Sequence, residues 1–246
     1  MTEALQHLSH RGRSLAFRHL EGDGPTILFL PGYMSDMEGT KALTLEAWAR
    51  EHGRAFLRFD YGGCGLSQGA FEDQTLADWR DDVLAIIDQS GDQPVLLAGS
   101  SMGGWLMLLA ALERPERVAG LLGIAAAPDF TAWGFSEAQK ETIRREGRLV
   151  QPTPYGDQPY VTTRAFWETG EALKLLDGPI AIDCPVRLLH GQADPDVPHN
   201  VSLRLAGQLR SSDVQTILIK DGDHRLSRGQ DLALLTATLA QMLDSL

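Results

Sequence analysis

The chain has 246 residues, 43% of them hydrophobic, which is enough to build the core of a single α/β enzyme domain spanning 1–246. Its formal net charge of −11 at pH 7 argues against a nucleic-acid partner, because phosphates are met by clustered Lys and Arg. No run approaches the roughly 18 apolar residues of a membrane span, and the first residues lack a signal-peptide core, so a cytoplasmic protein with no membrane span is expected.

Strands are predicted over 15–19, 26–30 and 55–59, short runs whose near-continuous apolar character fits a sheet covered on both faces. Cys64 follows the third of these, and Cys184 precedes a later strand. In a parallel sheet those positions lie at opposite edges, so the two thiols are expected to stay reduced. Thr75 and Asp78 fit a capping box, after which Leu76, Trp79, Val83, Ile86 and Ile87 recur at helical spacing. A strand over 95–98 runs into a helix over 102–112 that is apolar nearly all round and therefore buried. Another strand is predicted over 118–125, and two more over 186–190 and 214–219. The final helix carries Leu232, Leu235, Leu239, Met242 and Leu243. Strand–helix alternation of this kind reads as a right-handed, doubly wound sheet.

The stretch 128–183 breaks the rhythm. No good strand is predicted there, yet it holds Phe130, Trp133, Phe135, Tyr155, Tyr160, Phe166 and Trp167, and Pro128, Pro152, Pro154, Pro159 and Pro179 punctuate it. An aromatic-rich insertion between two strands reads as a cap, and its rings serve either a bound apolar group or the cap's own small core. Arg144, Arg145 and Arg148 are read as one solvated helix face.

Gly99-Ser100-Ser101-Met102-Gly103 matches G-x-S-x-G with Ser101 at the centre. In this motif a strand turns sharply into a helix, the central residue is strained at the apex, and the flanking glycines let strand and helix approach closely. The Met102 amide, at the helix start, then points to where a negative oxygen would form. Ser100 fits less well, since Ala98 and Met102 would be its brackets.

A serine hydroxyl needs a base, and the base needs an orienting acid. Where this elbow occurs, the chain order is serine, acid, histidine. His224, in a turn between the last strand and the last helix, is the expected base. His190, at a strand end, is read as structural, and His199 as a solvent-facing residue opening a helix. Asp194, in the H-G-x-x-D-x-x-V-P run that follows the sixth predicted strand, is preferred as the acid over Asp196, with Asp129 third. The Tyr33 amide, in Leu30-Pro31-Gly32-Tyr33-Met34, is the expected second oxyanion donor. The Gly-rich loop from Asp60 to Ser67 lacks a Walker lysine and the dinucleotide spacing, so it is read as a structural turn.

Together LPGYMSDMEGTKA, RFDYGGCGLS, GSSMGGWLML, CPVRLLHGQADPDVP and DGDHR resemble the α/β-hydrolase superfamily, and more narrowly its palmitoyl-protein thioesterase and mycophenolic acid acyl-glucuronide esterase type, over about 26–243. The resemblance implies an α/β-hydrolase fold, with a mostly parallel sheet flanked by helices and a small cap insertion. It also implies a Ser101, Asp194, His224 triad, and S-depalmitoylation or deglucuronidation as the activity. The combined expectation is a serine hydrolase of thioesters or esters of apolar acyl groups, acting on a small molecule or an acylated protein without cofactor or metal. Two rivals stand beside it: C–C bond or lactone hydrolysis on the same triad, and a non-catalytic binding module.

Overall fold

The computed structural model describes residues 3–153 and 159–246. Its sheet has eight strands: β1 (Gln6–His10), β2 (Arg13–Leu20), β3 (Asp23–Leu30), β4 (Arg54–Phe59), β5 (Val95–Ser100), β6 (Val118–Ile124), β9 (Val186–Gly191) and β10 (Val214–Ile219), in the spatial order β1-β2-β4-β3-β5-β6-β9-β10. Pairing is antiparallel only where β2 meets β1 and β4; the other neighbours run parallel. All seven predicted strands are present. Sequence pattern missed β1, an edge strand of largely exposed residues that carries no apolar face to read.

Side chains of the central strands alternate between two buried layers, as period-two geometry requires. From β3, Leu28 and Leu30 join a layer with α2 (Leu76–Gln89), α3 (Met102–Glu113) and α7 (Asn200–Gln208), while Ile27 and Phe29 join one with α1 (Thr40–Glu51) and α8 (Gly229–Ser245). Burial on both faces is why these strands read as continuous apolar runs. The Thr75–Asp78 capping box starts α2 as expected, and α3 is buried on every side.

Between β6 and β9 lie α4 (Phe130–Trp133), α5 (Glu137–Glu146), β7 (Arg148–Gln151), β8 (Tyr160–Thr163) and α6 (Arg164–Ala172). The expectation of no strand in 128–183 is corrected here: β7 and β8 pair as an antiparallel ladder of four residues each, too short to leave an alternating signal. Arg148 stands on β7, paired with Glu72, so the three arginines do not share a helix face. Arg144 lies 5.0 Å over the Trp167 ring. Tyr155 and Pro154 lie outside the described residues.

Both cysteines are free thiols. The Asp60 to Ser67 loop closes on its own carboxylate. Asp60 accepts from the amides of Met37 (2.7 Å) and Leu66 (2.8 Å), and a Cβ at Gly65 would fall 2.2 Å from it. That acid fills the space an anion would need, in keeping with a structural turn. Arg58, wholly buried behind it, is held by Glu46 at 2.7 Å and Glu38 at 2.8 Å.

Candidate active site

Ser101 sits between β5 and α3 with φ 54° and ψ −117°, a strained conformation for a residue with a side chain. Backbone hydrogen bonds hold it there: its N–H donates to Ile124 O at 2.9 Å, and its carbonyl accepts from Gly104 (2.9 Å) and Ala127 (3.0 Å). The bend also requires contacts that only glycine permits. A Cβ at Gly99 would lie 2.4 Å from the Gly103 carbonyl oxygen, and one at Gly103 would lie 2.1 Å from the Leu30 carbonyl oxygen.

The loop after β10 carries His224 to this apex. Its Nε2 lies 3.1 Å from Ser101 Oγ and its Nδ1 lies 2.8 Å from Asp194 Oδ2. Asp194 Oδ1 accepts from the amides of Asp196 (2.8 Å) and Val197 (2.9 Å), which fixes the carboxylate from behind. Burial alone would push the Asp194 carboxyl up; hydrogen bonds from His190 and His224 and the Val197 amide outweigh it and hold the acid well below the usual carboxylate range.

The alternatives fall elsewhere. Asp196 is exposed at the cleft rim. Asp129 spends both oxygens on the amides of Leu175 and Leu176, each at 2.8 Å, and so ties the return of the insertion to the end of β6. His199 stands at the N-cap position of α7 without a side-chain cap hydrogen bond and is half-buried. His190 is fully buried with both ring nitrogens engaged. Asp194, Asp196 and His224 bring ligand atoms within 4.8 Å of one another, but both Asp194 oxygens are already committed to protein donors, which suits a cation poorly.

Met102 opens α3, where a first-turn N–H has no intrahelical acceptor. Among the described residues neither the Met102 nor the Tyr33 amide donates to another protein group. Gly32 lies against the apex, a Cβ there being 3.4 Å from Ser101 Cβ, so the Tyr33 loop borders the hydroxyl. Sequence reasoning valued Tyr33 for its amide and missed its ring. That ring lies 5.1 Å from Phe166 and 5.2 Å from Phe71, and its hydroxyl donates to the Val161 carbonyl of β8. Burial holds the phenol well above its ordinary range. Tyr33 therefore pins the loop after β3 to the insertion.

Ser101 and His224 open into a cleft of about 570 Å³. Phe130, Trp133, Phe135 and Tyr160 of the insertion line one part of it; Asp36, Lys41, Asp196 and Arg225 line another. Lys41, which no motif singled out, donates to the Arg225 carbonyl at 2.6 Å, and burial pushes its ammonium down to about 8. The Ser101 hydroxyl, the His224 imidazole and the Asp194 carboxylate thus form one hydrogen-bonded series beside this cleft, an arrangement able to support nucleophilic chemistry.

A profile described as the alpha/beta hydrolase fold matches residues 25–153. The chain belongs to the α/β-hydrolase family. This hydrolase is 43% identical over 237 residues to the human protein named "Palmitoyl-protein thioesterase ABHD10, mitochondrial", covering 95% of this chain and 78% of that one. The solved structure of alpha/beta hydrolase domain-containing protein 10 from mouse superposes with a TM-score of 0.92 at 40% identity, covering 98% and 99% of the two chains. Est1E of Butyrivibrio proteoclasticus, solved with ferulic acid bound, matches at TM-score 0.83 and 21% identity over 98% of each chain and speaks for the fold alone. The expected fold and the family resemblance are both borne out. Among the described residues no helix of this hydrolase is long and apolar enough to cross a membrane.

Proposed function

We propose that this α/β-hydrolase is a serine hydrolase of thioesters, and secondarily esters, of apolar acyl groups, with 128–183 as the cap of a single domain. The observation that carries the reading is the relay from Ser101 Oγ through His224 to Asp194, at 3.1 and 2.8 Å, at the base of the cleft. Ser101 Oγ attacks the acyl carbon while His224 Nε2 takes its proton; Asp194 holds the Nδ1–H tautomer and stabilises the imidazolium. The Tyr33 and Met102 amides hold the tetrahedral oxyanion, each donor worth about 10²–10³ in rate. Collapse expels the thiolate or alkoxide, which His224 protonates, and water clears the acyl-enzyme by the same route.

The aromatic side of the cleft supports an apolar acyl portion, and its volume falls within the roughly 300–1,000 Å³ of small-molecule sites. The name of the human relative supports a long-chain thioester on a protein. Unpaired thiols support a reducing compartment, read here as the cytoplasm, although that relative is named mitochondrial.

Hydrolysis of S- and O-acyl substrates of matched chain length tests the reading. Wild type is expected to favour the S-acyl series with longer chains, and Ser101→Ala to lose about 10⁴–10⁶ in kcat with its fold intact. A large O-ester preference contradicts the thioesterase reading, and activity retained in Ser101→Ala contradicts the nucleophile.

A further inference from the structure

Tyr33 has two surroundings. Its amide is the proposed oxyanion donor, while its ring packs against five others at 5.1–6.0 Å. Phe71 and Trp79 belong to the body of the fold. Phe130, Tyr160 and Phe166 belong to the insertion, as does the Val161 carbonyl that accepts from the phenol. Phe130 and Tyr160 also line the cleft, and both are only half-buried, so each has ring surface left for a ligand. The backbone around the amide has few restraints of its own. The Pro31 carbonyl is held by the Tyr61 hydroxyl at 3.1 Å, and the Met37 amide by Asp60 at 2.7 Å. Between them, among the described residues, the only backbone–backbone hydrogen bond runs from the Ser35 N–H to the Gly32 carbonyl at 3.2 Å. That turn sets Met34 at φ 52°, a left-handed conformation that glycine takes freely and methionine does not. A strained turn persists only where its surroundings over-determine it, and here the Tyr33 side chain supplies that restraint from the insertion.

We propose that Tyr33 is a positioning residue through its side chain: an apolar chain seated on Phe130 and Tyr160 steadies the Tyr33 ring, fixes the Tyr33 amide, and so turns acyl-chain binding into rate at the reacting carbon. This coupling rests on the serine-hydrolase reading above, with the Tyr33 amide as donor. Contact with a remote part of a substrate speeds the chemical step only when it is used to align or stabilise the transition state. Rings that served only as a floor for the chain would tighten binding and leave the saturating rate alone. Rings that settle the amide raise the saturating rate, because acyl-enzyme formation passes through the oxyanion that the amide holds. An acetyl group offers these rings almost no surface and leaves the turn to its own strain. A longer chain completes their burial. Acyl length is therefore read chiefly in the saturating rate.

The test is single-turnover hydrolysis in wild type and Tyr33→Leu, with the full chain in excess of S-acetyl or S-octanoyl N-acetylcysteamine and thiol release followed. Leucine keeps the backbone amide and an apolar side chain but removes the ring and its hydroxyl. In wild type the saturating rate is expected to be about tenfold or more higher for the octanoyl than for the acetyl thioester, a part of the 10²–10³ that one donor is worth. In Tyr33→Leu that ratio is expected to fall to about threefold or less. A merely structural role lowers Tm and slows both thioesters by one factor, so the ratio stays. A mere floor for the chain raises the half-saturating concentration for the octanoyl thioester, and again the ratio stays. Either result, or a wild-type ratio near one, overturns the proposal. Should Tyr33→Leu not fold, Tyr33→Phe, which frees the ring from Val161, takes its place: a lowered ratio upholds the coupling and an unchanged one overturns it. Ser101→Ala separates the coupling from the reading beneath it. Hydrolysis that depends on Ser101 but shows no length-dependent rate overturns the coupling alone; no hydrolysis, or hydrolysis that persists in Ser101→Ala, overturns both.

Discussion

Asp194 and Asp196 stand two residues apart on one loop, yet their surroundings assign them different work. The Asp194 carboxylate is buried, one oxygen held by two backbone amides and the other by His224, and it stays ionised because its donors outweigh the cost of burial. Asp196 is exposed at the rim of the cleft. Asp194→Asn is therefore expected to cost about 10⁴ in kcat, because the amide offers His224 the wrong tautomer. Asp196→Asn is expected to cost far less. Steady-state kinetics on the two variants, with circular dichroism to confirm folding, checks the ranking; the reverse order would show the acid to be misassigned. At this scale much of the site was legible, because H-G-x-x-D-x-x-V-P and the serine–acid–histidine order constrain residue identity directly. The ring of Tyr33 was not legible, because its meaning comes from a partner 128 residues away.

At the scale of elements, the bend from β5 into α3 is the least forgiving part of the fold. Gly103 faces the Leu30 carbonyl across a gap with no room for a methyl group, and the loop after Leu30 carries the Tyr33 amide. Gly103→Ala is expected to drive strand and helix apart, lowering stability by about 1–3 kcal/mol and moving the two amides proposed as oxyanion donors. Urea denaturation and kcat read the two effects; a variant with unchanged midpoint and activity would contradict the close approach. The elements themselves were legible wherever packing on both faces left an apolar run, as in Leu96 and Leu97 of β5, or where a cap marked the start, as at Thr75. They were illegible where tertiary pairing alone holds them. β1 leans on β2 at the open edge of the sheet, and β7 and β8 pair with each other within the insertion. Neither place offers a hydrophobic period to read.

For the whole molecule, the topology explains how residues 123 positions apart meet. Ser101, Asp194 and His224 follow β5, β9 and β10, which run parallel within one sheet, so all three loops emerge at the same edge. The insertion leaves the sheet between β6 and β9, above that edge, and the Tyr33 ring fastens it to the loop after β3. Sequence order plus parallel strands was enough to anticipate this convergence; the shape of the cleft depends on contacts within 128–183 that no local pattern encodes. The central claim is that this edge presents one activated hydroxyl to an acyl carbon. Its most direct measurement is intact-mass analysis with peptide mapping after reaction with a long-chain alkyl fluorophosphonate. A single phosphonyl group on Ser101 in wild type, with none on Ser101→Ala or His224→Ala, is the predicted result. An unlabelled wild-type protein, or the same labelling in Ser101→Ala, would contradict the account.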